Sequence, residues 1–142
     1  MIDMDLIEEL RAVAPAVFDD EPVLFAYLYG SRANGVPRAD SDIDIAVYFS
    51  EDTDPSTRFD ERLRLPQLLV DATGRPDIEV ASLNDAPLRL AGRVVQGVLV
   101  YSRDEPARVA YESLTFRRFC DFDLHDREDA RAMLRATAEG RY

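Results

Sequence analysis

Gly30-Ser31-Arg32-Ala33-Asn34-Gly35-Val36-Pro37-Arg38-Ala39-Asp40-Ser41-Asp42-Ile43-Asp44 is the stretch on which the reading of this chain turns. It lies between two apolar runs, residues 23–29 (Val-Leu-Phe-Ala-Tyr-Leu-Tyr) and 43–49 (Ile-Asp-Ile-Ala-Val-Tyr-Phe). Both runs are rich in β-branched and aromatic residues and contain no Gly or Pro, so each reads as a strand. Side chains alternate along a strand, so Asp42 and Asp44 share one face while Ile43 and Ile45 take the other. Two carboxylates held side by side repel each other unless a cation sits between them. Mg²⁺ suits that place, because it binds one or two carboxylates and completes its shell with phosphates and waters. Alone, an Asp-x-Asp is a common chance pattern and equally a solvated strand start. The turn supplies the second half. Gly30 lets backbone N–H groups approach an anion with no Cβ in the way. The Ser31 hydroxyl can donate to a phosphate oxygen, and Arg32 or Arg38 can neutralise its charge. Joined at this spacing, the two halves predict a site for nucleotide transfer.

The remaining chain supplies the frame. Leu6, Ile7, Leu10, Val13 and Val17 recur at helical spacing and predict an entry helix over about residues 4–18. A second helix is expected from Thr57 to Ala72, kinked or split by Pro66 and stopped by Gly74. Residues 77–83 (Asp-Ile-Glu-Val-Ala-Ser-Leu) read as a third strand, Ala86 to Gln96 as a helix, and Val98–Ser102 as a fourth strand. From Asp104, a candidate cap, the pattern turns helical, with Pro106 near the start and an apolar stripe at Val109, Phe116, Phe119 and Cys120. A separate short helix is expected over Arg127 to Ala138, and the last residues, Glu139 to Tyr142, are expected to fray. The aromatics Tyr111, Phe116 and Phe122 either pack on the sheet or dock a partner. The expected fold class is α+β: a mixed sheet of about four strands flanked by helices, with a helical C-terminal segment.

Gly-Ser-x10-Asp-Ile-Asp between two strands resembles the signature of the DNA polymerase β-type nucleotidyltransferase superfamily. Within it, the short chain resembles the minimal nucleotidyltransferase (MNT) group and the MntA-type antitoxins paired with HEPN toxins. The stretch from Gly30 to Val47 is the specific part. The likeness continues more loosely through residues 76–80 (Pro-Asp-Ile-Glu-Val) and 97–101 (Gly-Val-Leu-Val-Tyr). Asn34 departs from the Arg that many members carry, at some cost in phosphate or substrate contact. The resemblance implies a polymerase β-like fold, a catalytic core over about residues 4–102 and a helical segment over about 104–138, all in one domain spanning 1–142. It implies a third carboxylate, for which Asp77 falls at the family's position. Glu79 shares its face by the same alternation, and is a fallback ligand or base. The metal ligands would be Asp42, Asp44 and Asp77, holding two Mg²⁺ ions with Mn²⁺ as a substitute. Gly30, Ser31 and Arg32 would hold the phosphates. The implied reaction moves AMP from ATP to a tyrosine of a HEPN ribonuclease toxin and silences it.

Composition bounds what else is open. The 142 residues, 46% hydrophobic, suffice for one core and fall short of two full domains. No apolar run is long enough to span a membrane, and no signal peptide is evident. A single cysteine, Cys120, excludes an internal disulfide, which points to a reducing cytoplasm; its aromatic neighbours suggest a packed residue. His125 lacks ligand partners at zinc spacing and reads as structural or surface. Net charge is −11, and all 17 basic residues are arginine. Such a chain is a poor binder of long nucleic acid, whose affinity rests on phosphate neutralisation. Adaptation to high salt and a GC-rich genome both account for arginine without lysine. A small-molecule nucleotidyltransferase of the aminoglycoside-modifying type and a non-catalytic antitoxin acting by binding alone remain open alternatives.

Overall fold

The computed structural model describes residues 3–34 and 42–138. In chain order the elements are α1 (Met4–Phe18), β1 (Val23–Tyr29), α2 (Ser31–Asn34), β2 (Ile43–Phe49), α3 (Pro55–Thr73), β3 (Ile78–Ser82), α4 (Leu88–Val95), β4 (Val98–Ser102) and α5 (Glu105–Ala138). The strands form one mixed sheet in the order β3-β2-β1-β4. β1 runs antiparallel to β2 and to β4, and β2 runs parallel to β3. The expected fold class is the observed one.

Alternation along the strands divides the core between the two faces. On one, Leu6 and Leu10 of α1 and Leu65 and Leu69 of α3 pack on Leu28, Ile43, Ile45 and Val47. On the other, Phe25, Tyr27 and Ala46 pack with Leu83 and Val94 under α4 and α5. Tyr111 of α5 joins the second face, its ring 5.6 Å from Phe25 and 4.9 Å from Tyr48. Asp44 belongs to this second face, in line with Ala46 and Tyr48.

Caps fall where the side chains predict them. Asp3 accepts from the Leu6 amide at 3.2 Å, Asp54 from Thr57 at 2.7 Å and Asp104 from Ala107 at 3.0 Å. Gly74 closes α3 with φ 71°, a left-handed conformation suited to glycine.

Four expectations need correction. Pro66 does not split α3, which is continuous from Pro55 to Thr73. A mid-helix proline costs about 3 kcal/mol, whereas burying the neighbouring Leu65 and Leu69 contributes roughly 1.5–3 kcal/mol each, so packing wins. Helix α4 begins at Leu88, later than expected, because Ala86, just before Pro87, is held extended at φ −80° and ψ 140°. The C-terminal region is one helix of 34 residues, since neither Gly nor Pro interrupts it between Pro106 and Ala138. Cys120 is exposed, not packed: its neighbour Phe119 is the residue that packs against α4. Gly92 of α4 makes room for it, since a Cβ there would stand 2.1 Å from the Phe119 ring.

Candidate active site

β1 ends in Tyr29 and hands over to Gly30, whose φ is 80°. Two things require glycine there. The left-handed conformation is one, and the other is the Asp44 carboxylate: a Cβ on Gly30 would lie 2.8 Å from Asp44 Oδ2. The turn and the carboxylate strand, read separately in the sequence, thus meet: the Asp44 carboxylate fills the space that a side chain on Gly30 would need. Tyr29 stands opposite Asp44 across the β1–β2 ladder, and Glu79 stands beside Asp44 in the parallel β2–β3 register. Same-face residues in register on adjacent strands come within reach of one another, so Tyr29, Asp44 and Glu79 form a row across three strands.

The row is electrostatically loaded. Burial pushes the Asp44 carboxyl above the usual carboxylate range, and the negative charges of Glu79 and Asp42 push it further. Burial likewise raises the Tyr29 hydroxyl, with Asp44 and Glu79 adding to the shift. An anionic cluster of this kind is relieved by a cation. Among the described residues no three His, Cys, Asp or Glu side chains already converge into a metal cage. Asp44 and Glu79, with Asp42 exposed at the head of β2, therefore present a partial set of hard oxygen donors. That fits Mg²⁺, which takes its other oxygens from phosphates and water.

Asp77 sits differently from the alternation argument. It precedes β3, is exposed, and has φ 62°, so it is not part of the extended run. Its backbone carbonyl accepts from the Ile43 amide at 2.9 Å, and this bond starts the β2–β3 register that delivers Glu79, not Asp77, to Asp44. Glu79, the fallback in the sequence reading, is the acidic residue of β3 in register with Asp44, while Asp77 immediately precedes the first pair of that register, Ile43 with Ile78.

Arg32 also differs. Its Nη1 donates to Asp3 Oδ2 at 3.0 Å, and its side chain is only 11% exposed. The Arg32 carbonyl accepts from the Asp3 amide at 3.4 Å. Asp3 is itself the cap of α1, so Arg32 ties α1 to the Gly30 turn and is engaged away from solvent. Nothing local in the sequence signals this pairing between positions 3 and 32. The side chains of Ser31, Asn34 and His125, the whole of Arg38, and residues 139–142 lie outside the described residues.

Comparisons with known proteins agree with this geometry. No curated protein sequence matches the chain significantly. Solved structures share its fold. A chain of the complex between tri-AMPylated Shewanella oneidensis HEPN toxin and MNT antitoxin superposes with a TM-score of 0.62 at 18% identity, over 90% of this chain and 98% of that one. A chain of a toxin–antitoxin complex with AMP-PNP gives 0.60 at 21% identity, over 90% and 98%. A chain of the toxin–antitoxin MntA-HepT gives 0.57 at 19%, over 92% and 98%. The sequence profile of the family described as "Polymerase beta, Nucleotidyltransferase" matches residues 13–106, a span that takes in β1, the Gly30 turn, the carboxylate strand and β3. With that match over more than half its length, the chain belongs to the polymerase beta nucleotidyltransferase family.

Proposed function

We propose that this chain is a Mg²⁺-dependent adenylyltransferase that moves AMP from ATP to a tyrosine hydroxyl of a cognate HEPN ribonuclease toxin, and so acts as an antitoxin. The observation that carries the reading is the Asp44 carboxylate lying in the space a Gly30 side chain would take, with Glu79 in register beside Asp44, at one end of the sheet. It brings a phosphate-approaching turn and a row of hard oxygen donors within one nucleotide's reach. The fold shared with chains from HEPN toxin–MNT antitoxin complexes, one toxin being tri-AMPylated, supports the acceptor class.

Bound Mg²⁺ would neutralise the triphosphate and make the acceptor hydroxyl more acidic. Asp42 and Asp44 would hold it from β2. Glu79, in register with Asp44, would add a donor from β3 and would accept the acceptor's proton. The acceptor oxygen forms a bond to the α-phosphorus. The bond from that phosphorus to the bridging oxygen breaks, and its electron pair leaves with pyrophosphate. Backbone amides after Gly30 and the Ser31 hydroxyl would receive the β- and γ-phosphates as charge grows on them.

The two docking aromatics weighed in the sequence divide from the third. Tyr111 is spent on the core, while Phe116 is 52% exposed and Phe122 is 42% exposed under the Arg89 guanidinium. Only the latter two remain available to a partner. The test is the intact mass of a HEPN-type toxin after incubation with this chain, ATP and Mg²⁺. Whole AMP units should be gained, and none with Asp44→Asn. Toxin neutralised by both proteins without mass gain would establish masking by contact instead.

A further inference from the structure

Arg32 and Arg38 were the cations expected at the phosphates, yet Arg32 is held by Asp3 in a largely buried ion pair. A nucleoside triphosphate brings about four negative charges to a chain of net charge −11. Such a load calls for more than one cation, and one stands beside the turn. A cavity of about 220 Å³ opens against Gly30, lined by Tyr29, Leu90, Arg93 and Gln96. Arg93 lies in the last turn of α4, is exposed, and makes no ion pair or side-chain hydrogen bond among the described residues. Its neighbour one turn back, Arg89, is committed over the Phe122 ring at 5.3 Å. Gln96 is fixed, its Nε2 donating to the Gly92 carbonyl at 2.9 Å.

Position across the sheet says which part of a nucleotide belongs there. In-line transfer places the attacking and leaving oxygens on opposite sides of the α-phosphorus. The strand order puts Glu79 on β3 to one side of Asp44, and Tyr29 and Gly30 on β1 to the other. If the acceptor approaches over Glu79, the leaving pyrophosphate must depart over β1, toward Gly30 and the Arg93 cavity. Arg62 is near enough to act on Tyr29, but it comes from α3, which packs against β3 and so lies on the acceptor's side. The cavity's size agrees, since pockets for whole ligands run to roughly 300–1,000 Å³ and this one suits a part.

We infer that Arg93 binds the β- and γ-phosphates of the nucleoside triphosphate and holds the departing pyrophosphate, in a subsite between α4 and the Gly30 turn. The inference rests on the nucleotidyltransferase reading above. As the acceptor–phosphorus bond forms and the α–β bridge breaks, the extra negative charge appears on pyrophosphate, where a guanidinium can take it with paired N–H bonds. Lysine at this position would keep the charge and lose the fork.

Calorimetric titration of the full chain with AMP-PNP, inorganic pyrophosphate and AMP, each with Mg²⁺, tests it in wild type, Arg93→Ala and Arg93→Lys. Removal of a charge-assisted contact should weaken AMP-PNP and pyrophosphate by about ten-fold or more in Arg93→Ala. AMP should change less than about two-fold, and Arg93→Lys should recover part of the loss. Unchanged AMP-PNP and pyrophosphate binding, or an equal loss for AMP, would overturn the assignment while leaving the transferase reading intact. Failure of wild type itself to bind AMP-PNP would instead sink the transferase reading, and this subsite with it. Arg93 is exposed and makes no ion pair among the described residues, so the variants should keep the wild-type circular dichroism.

Discussion

Gly30 and Asp44 are coupled so closely that each residue constrains the other. Gly30→Ala would place a methyl 2.8 Å from Asp44 Oδ2 and force an L-residue into a left-handed backbone at about 1–2 kcal/mol. We expect a lower melting temperature together with loss of transfer, read by thermal unfolding and acceptor labelling. Asp44→Asn should separate the two. Removing a charge that burial, Glu79 and Asp42 all disfavour leaves the fold at least as stable, while activity falls by about a thousand-fold or more. Folded Asp44→Asn protein with wild-type turnover would refute the assignment. Glu61 offers a titratable case away from the site. Burial, then the adjacent Glu21, raises its carboxyl despite a 2.9 Å bond from Arg64. A carboxyl raised in the folded state favours folding when protonated, and that contribution is lost as pH rises through its folded value. Glu61→Gln should therefore melt higher than wild type at neutral pH, with the gap closing as pH falls into the acidic range; a gap independent of pH would show that the charge is not the cause. Residue by residue, the places of Gly30 at the end of β1 and of Asp42 and Asp44 at the head of β2 were legible because spacing and alternation are local. That Glu79 stands in register with Asp44 was less legible, because it depends on Asp77 adopting φ 62° and lying outside the strand.

Among the elements, strands were legible and helix ends less so. All four strands announce themselves as short β-branched or aromatic runs between turn residues. Helix continuity depends instead on what packs against the helix: α3 runs through Pro66 because Leu65 and Leu69 anchor both sides of it. The α4–α5 contact has no sequence signal beyond a glycine, Gly92, and a phenylalanine, Phe119, that a periodicity argument assigns only to a face. Gly92→Ala decides how tight that contact is. Alanine gains about 1 kcal/mol in helix propensity, but a Cβ 2.1 Å from the Phe119 ring forces overpacking worth about 1–3 kcal/mol. We expect net destabilisation, seen as a lower urea midpoint with an unchanged slope. A higher midpoint would show that Phe119 swings aside freely.

At the scale of the whole molecule, charge is the dominant feature. With 28 acidic against 17 basic residues, like charges repel across the surface, and the ion pairs that oppose this are mostly part-exposed and individually weak. Salt should screen the repulsion more than it weakens the pairs, since the Debye length falls from about 30 Å at 0.01 M to about 3 Å at 1 M. The melting temperature should rise with NaCl across that range; a fall would show that specific ion pairs outweigh the net charge. Among the described residues no helix is long and apolar enough to cross a membrane. The architecture as a whole was readable because one motif fixed two adjacent strands and the turn between them. The proposed direction of traffic across the sheet, acceptor over β3 and pyrophosphate over β1, rests on the strand order and has no signal in the sequence.

The most direct measurement compares ATP labelled at the α-phosphate with ATP labelled at the γ-phosphate, using this chain, Mg²⁺ and a HEPN-type toxin. Nucleotidyl transfer predicts that α-label becomes covalently attached to the toxin and γ-label does not, with both signals absent for Asp44→Asn. Transfer of γ-label, or α-label that persists in folded Asp44→Asn protein, would contradict the account.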